Sequence, residues 1–135
     1  MPSPFRFALL MLVSWTTLIA ADWPQWRGPT GMGHSPERDL PPTWGGPEKT
    51  NLRWSVPLPE GDATQSSPIV SGERVIVMTA RNKPPEHRVT CWRTTDGMQL
   101  WSTEIEPGPW LLKDFRGGYA CSPPATDGDR IYALF

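Results

Sequence analysis

Charge, histidine and long apolar runs are all scarce in this sequence, and each scarcity closes off a class of function. Lys and Arg total 13 against 14 Asp and Glu, a formal net charge of −1 over 135 residues. A chain so near neutrality has no electrostatic claim on nucleic acid or on anionic lipid. The two histidines, His34 and His87, lie 53 residues apart in polar stretches. A zinc site needs three or four ligands with short local spacing, so neither reads as a metal ligand.

Proline and tryptophan are abundant instead, at 17 and 8 residues. Proline at that density excludes a helical bundle, because each interior proline removes a hydrogen bond and costs about 3 kcal/mol. Eight indoles need apolar burial and partners for their N–H groups. Disordered chains are poor in aromatics, so the composition points to many short strands and turns.

Residues 1–21, "MPSPFRFALLMLVSWTTLIAA", carry one positive charge (Arg6), an apolar run from Phe7 to Ile19, and small residues Ala20 and Ala21 before Asp22. That is the order of a secretory signal, with cleavage expected after Ala20 or Ala21. Ser14, Thr16 and Thr17 interrupt the run, and a spanning helix needs about 20 apolar residues. The expected mature protein is therefore exported, periplasmic or extracellular, with no transmembrane span.

Residues 22–50 are punctuated by Pro and Gly and hold no sustained period. They read as an irregular arm on the surface of a domain, pinned by Trp23, Trp26 and Trp44. Order follows. "NLRWSVPL" (51–58) reads as one strand. "SSPIV", a Ser71-Gly72 turn and "RVIVMTA" read as a hairpin. "RNKPPEH" reads as a polar loop, "RVTCWR" as a strand, Asp96-Gly97 as a hairpin tip and "MQLWSTEI" as the fourth strand. Four antiparallel strands within about 40 residues is the period of a propeller blade.

Two internal echoes sharpen this. "SSPIVSGERVIV" and "CSPPATDGDRIYA" superpose with Gly72 and Gly128 spaced by 56 residues, Arg74 and Arg130 by 56, and Ser67 and Ser122 by 55. "LRWSVPL" and "QLWSTEI" place Trp54 and Trp101 47 residues apart. Trp54 thus belongs to a fourth-strand motif with only the arm before it. The expected fold is an all-β propeller of four-stranded antiparallel blades. In it, 51–58 closes a last blade that is absent here and 66–105 forms the first full blade. Residues 106–118 form an inter-blade insert and 119–135 begin the second blade. About one and a half blades of an expected seven or eight would be present. Cys91 lies inside a strand and Cys121 opens the following repeat. A disulfide between them would contribute about 3 kcal/mol if relaxed, but their placement favours two small buried thiols.

"VTCWRTTDGMQLWSTEI" resembles the repeat of the pyrroloquinoline-quinone-type β-propellers, whose tryptophan-docking pattern is A-x-D-x-x-T-G-x-x-x-W. Gly97 and Trp101 match in spacing, while Cys91, Arg93 and Asp96 stand at the Ala, Asp and Thr positions. The resemblance implies that Gly97 makes the turn and that the tryptophan packs between adjacent blades. "DWPQWRGPTGMGHS", "LPPTW", "NLRWSVPLP" and "SPPATDGDRIYA" are similar to the opening of secreted bacterial quinone-repeat-like and outer-membrane-assembly-factor-like propellers. The resemblance spans essentially the whole mature chain.

Family dehydrogenases bind the quinone and a calcium ion with an adjacent-cysteine disulfide and clustered carboxylates. Neither feature is in this sequence, so the quinone and calcium are cofactors implied by resemblance alone. "GPTGMG" (28–33) lacks the strand and helix that flank a phosphate loop. Asp62, Asp127 and Asp129 lack the further carboxylates of a calcium loop, and "TDGDR" reads as a turn. Trp110, Phe115, Arg116 and Tyr119 in and beside the insert could line the mouth of a binding funnel or fold onto the blade. The expected function is a non-catalytic scaffold whose partner is a protein or envelope component. The alternatives are a quinoprotein dehydrogenase with catalytic groups in further blades, and an accessory propeller of an exported polymer-binding or hydrolytic protein.

Overall fold

The computed structural model describes residues 21–59, 64–106, 108 and 119–135. Residues 1–20 of the expected leader, and Trp110, Phe115 and Arg116, lie outside the described residues.

The described residues form an all-β structure. Strands β1 (Ile69–Ser71), β2 (Arg74–Asn82), β3 (Pro85–Arg93) and β4 (Gln99–Ile105) make one antiparallel sheet in sequence order. A second pair, β5 (Ala125–Thr126) and β6 (Ile131–Tyr132), follows. Ser71 pairs with Arg74, so the first turn has Gly72 and Glu73 at its centre, and Gly72 supplies φ 54°. L-residues with side chains rarely adopt that value, whereas glycine does so without steric cost.

β2 and β3 are longer than the sequence suggests. The expected loop "RNKPPEH" is replaced by a two-residue turn, Lys83-Pro84, with Arg81 and Asn82 still on β2 and Pro85 to His87 already on β3. The Lys83–Pro84 peptide bond is cis. Pro85 is admissible as a first strand residue because it need not donate to the ladder there. One extra residue, Leu100, bulges from β4, since Cys91 pairs with Trp101 but Trp92 pairs with Gln99.

Period 2 assigns the two faces of the sheet. Ile76, Met78, Ala80, Val89 and Cys91 form the buried core together with Ile69 and Ala120. Trp101, Ile105, Tyr119, Ile131 and Phe135 pack against it. The second unit thus covers this face. On the opposite face Thr79, Glu86, Thr90 and Trp92 are also buried, and the Thr90 and Ser102 hydroxyls meet at 3.0 Å. An antiparallel sheet with one wet face alternates in burial, and β3 does not.

The two hairpins share a register. Ile69 pairs with Ile76 and Val70 with Val75; 56 residues later Ala125 pairs with Tyr132 and Thr126 with Ile131. Segment 51–59 belongs to no strand. The arm is pinned less uniformly than its indoles suggest. Trp23 is half-buried and exchanges two backbone hydrogen bonds with Val70 on the β1 edge, of 2.8 and 3.0 Å. Trp26 and Trp44 are 60% and 76% exposed and lie outside the buried core. Arg27 covers one face of the Trp26 ring at 4.9 Å, a cation–π contact at the surface. Cys91 is buried and free, but Cys121 is exposed and free, because it precedes β5 on the outer side of the buried Ala120.

Ile76→Ala removes a side chain that is 1% exposed, and a destabilisation of about 2–5 kcal/mol is expected in chemical denaturation. Met32→Ala, at a position 69% exposed, is expected to stay within about 0.5 kcal/mol.

Candidate functional site

Three constellations of side chains have geometry beyond simple packing. The first joins Trp54 to the turn between β3 and β4. Gly97 stands at φ 71°, and a Cβ built on it would fall 2.7 Å from the Trp54 indole. The ring therefore lies directly on the glycine backbone. Its Nε1–H donates to the carbonyl of Thr94 at 2.8 Å. Gly97 N–H in turn donates to the Arg93 carbonyl at 3.0 Å, and Asp96 Oδ1 accepts from Met98 N–H at 3.0 Å. Asp96, at the Thr position of the repeat pattern, thus supplies the local acceptor. Of the residues singled out in the sequence, Gly97 and Trp54 meet here. Trp101 sits on the core face of the same sheet opposite Cys91, and Gly72 and Gly128 occupy hairpin turns with open space around them.

The second constellation was hidden in the stretch read as a polar loop. His87 lies on β3, 8% exposed, between Ala80 of β2 and Ile105 of β4. Its ring stacks on Phe135 with centroids 4.3 Å apart and planes 9° apart, and meets Tyr119 at 5.9 Å and 52°. Burial lowers the His87 pKa from 6.5, because a desolvated imidazolium is disfavoured. Tyr119 is thereby an inter-unit contact, half-buried against the core.

The third lies on the opposite face. Glu86, 7% exposed, is held between the guanidinium groups of Arg81 and Arg88. A buried carboxylate requires such pairing. The signal that could have revealed both constellations is alternation: Glu86 and Arg88 on one face, His87, Val89 and Cys91 on the other. Two adjacent prolines obscured it.

The exposed turn after β5 tests the calcium reading. Asp127 Oδ1 accepts from the backbone N–H groups of Asp129 at 3.0 Å and Arg130 at 2.7 Å, and Oδ2 accepts from the Tyr132 hydroxyl at 2.7 Å. The Tyr132 hydrogen bond, then that of Arg130, holds the Asp127 carboxyl below the usual carboxylate range. Both oxygens serve the turn, as the reading of this stretch as a turn expects. Asp62 lies outside the described residues. Among the described residues, no three His, Cys, Asp or Glu side chains converge as a metal site requires, and no helix is long and apolar enough to cross a membrane.

No protein-family model, curated protein or solved structure matches the chain.

Gly72 and Gly97 share a positive φ but differ in surroundings, which isolates the indole contact. Gly72→Ala is expected to cost about 1 kcal/mol through backbone strain alone. Gly97→Ala is expected to cost about 1–3 kcal/mol more through overpacking, and that excess should vanish when Trp54→Ala is present. Denaturant midpoints of the four variants measure it.

His87 supplies a pH dependence. The unfolded chain binds the proton more tightly than the folded one, so this residue's contribution is complete above about pH 6.5 and declines as pH falls below that value. Urea unfolding should show stability falling between neutral pH and pH 5 in the wild type, with a flatter profile in His87→Phe.

Proposed function

We propose that this chain contributes the opening of an exported β-propeller that acts as a non-catalytic binding scaffold, its partner a protein or a component of the cell envelope. The observation that carries this reading is how three of its chemically capable groups are used. Glu86 is neutralised between two arginines, His87 is buried in an aromatic stack, and Asp127 holds a turn with both oxygens. Each is committed to holding strands or units together. A general acid or base needs instead an accessible proton and a pKa near working pH.

The propeller part of the reading is supported by three features together. The four strands form one antiparallel sheet in sequence order, and β2 and β3 bury side chains on both of its faces. An indole from segment 51–59, which joins no strand here, seats on the Gly97 turn. A blade needs neighbours on both faces, and radial stacking leaves only short edges to protect.

The experiment is reconstitution of the full chain with pyrroloquinoline quinone and calcium. Neither bound-cofactor absorbance nor dye reduction with alcohols or sugars is expected. Either signal would replace the scaffold reading with a quinoprotein dehydrogenase.

A further inference from the structure

The contact at Ala21 changes its chemistry if the leader is removed. The Ala21 backbone nitrogen donates to Glu37 Oε1 at 2.8 Å. The next three residues are each bonded to a hairpin. Asp22 Oδ1 accepts from Gly72 N–H at 2.7 Å. Trp23 and Val70 exchange hydrogen bonds of 2.8 and 3.0 Å, and the Pro24 carbonyl accepts from Thr126 N–H at 2.9 Å. Val70 and Thr126 are the same position of the two hairpins, 56 residues apart. One short segment therefore ties corresponding points of both units.

Within an uncut chain the Ala21 nitrogen is a neutral amide with a single N–H. A leader peptidase that hydrolyses the Ala20–Ala21 bond uses one water, leaving a carboxylate on Ala20 and an amine on Ala21. At neutral pH that amine is largely an ammonium with three donors. Its hydrogen bond to the Glu37 carboxylate, already charge-assisted on the acceptor side, then becomes an ion pair between two full charges.

We propose that Ala20–Ala21 is the processing site and that the new α-ammonium of Ala21 pairs with the Glu37 carboxylate, so that leader removal fastens the arm across both strand pairs. The proposal rests on the export reading and chooses between the two cleavage points the sequence allows. A cut one residue later removes the nitrogen that reaches Glu37. It would also place the ammonium on Asp22, whose carboxylate already accepts from Gly72.

The full chain, expressed with its leader in a bacterial host and recovered from the exported fraction, supplies the test. N-terminal sequencing should read Ala21 first. Amide hydrogen exchange at Val70, Gly72 and Thr126 should be about two- to fivefold slower than in processed Glu37→Gln, the range an exposed ion pair supports. Selective acetylation of the α-amine should reproduce the Glu37→Gln rates, and high salt should narrow the difference. A mature terminus at Asp22 overturns this inference and leaves export standing. Absence of the chain from the exported fraction overturns the export reading itself, and an exported chain that keeps its leader overturns the processing site. A terminus at Ala21 with equal exchange in Glu37→Gln overturns the ion-pair latch alone.

Discussion

The contact on which the arrangement turns is an indole laid on a glycine that any side chain would crowd. Gly97 meets two independent demands at once: a left-handed φ of 71°, and room for the Trp54 ring where a Cβ would stand. Tryptophan suits the other side, because its apolar face can lie on a peptide while its N–H still finds an acceptor. Trp54 finds Thr94 O, and the donor of the half-buried indole is satisfied. The same device appears inside the arm. Trp23 lies on Gly28, at φ 72°, and its Nε1–H reaches the Trp26 carbonyl at 3.3 Å. Each indole therefore closes a turn that glycine has prepared, one locally and one 40 residues away.

With both ring-on-glycine contacts in place, the arm can act as a tie. Trp23 extends the β1 edge and Pro24 reaches β5 through its carbonyl. Proline has no N–H to leave unpaired at this position, so a residue that disfavours sheet interiors works well as a one-sided bridge. The unpaired edge of β1 is covered in the process, which removes a site for edge-to-edge aggregation. Gln65 and Ser66 N–H groups both donate to Ala120 O at 3.0 Å, so the two units are also joined at the residues leading into their first strands.

Much of this was legible, and the failures have physical causes. Gly72, Gly97 and Gly128 announced their turns because only glycine relieves a positive φ cheaply, and the 56-residue echo of Gly72 in Gly128 reappears as an identical register. Trp54 and Gly97 were each recognisable from the repeat, although their contact spans residues with no local relation. The β2–β3 turn was misread because Pro84 and Pro85 signal a loop, whereas a proline at the first strand position is tolerated. His87 and Glu86 were lost with that loop. Trp26 and Trp44 show that an indole count does not say which rings find a glycine to cover. Exposure of Cys121 follows from its position before β5, which periodicity over a two-residue strand does not resolve.

Burial on both faces bears most directly on what the sheet is for. One face holds the Ile76, Met78 and Cys91 core under the second unit; the other buries Thr79, Thr90 and Glu86, the last between the half-buried Arg81 and Arg88. A sheet that only closed a two-layer sandwich would leave the second face wet and alternate in sequence. Polar groups buried there instead need fixed partners, and a paired Glu86 and facing hydroxyls at Thr90 and Ser102 provide them. Such a layer is specific rather than adhesive, since a misregistered neighbour would strand buried charge. A stacking unit of this kind is suited to fixing the angle between successive sheets. Under the propeller reading proposed above, that angle would set where the connecting loops converge, and hence which surface a partner would meet.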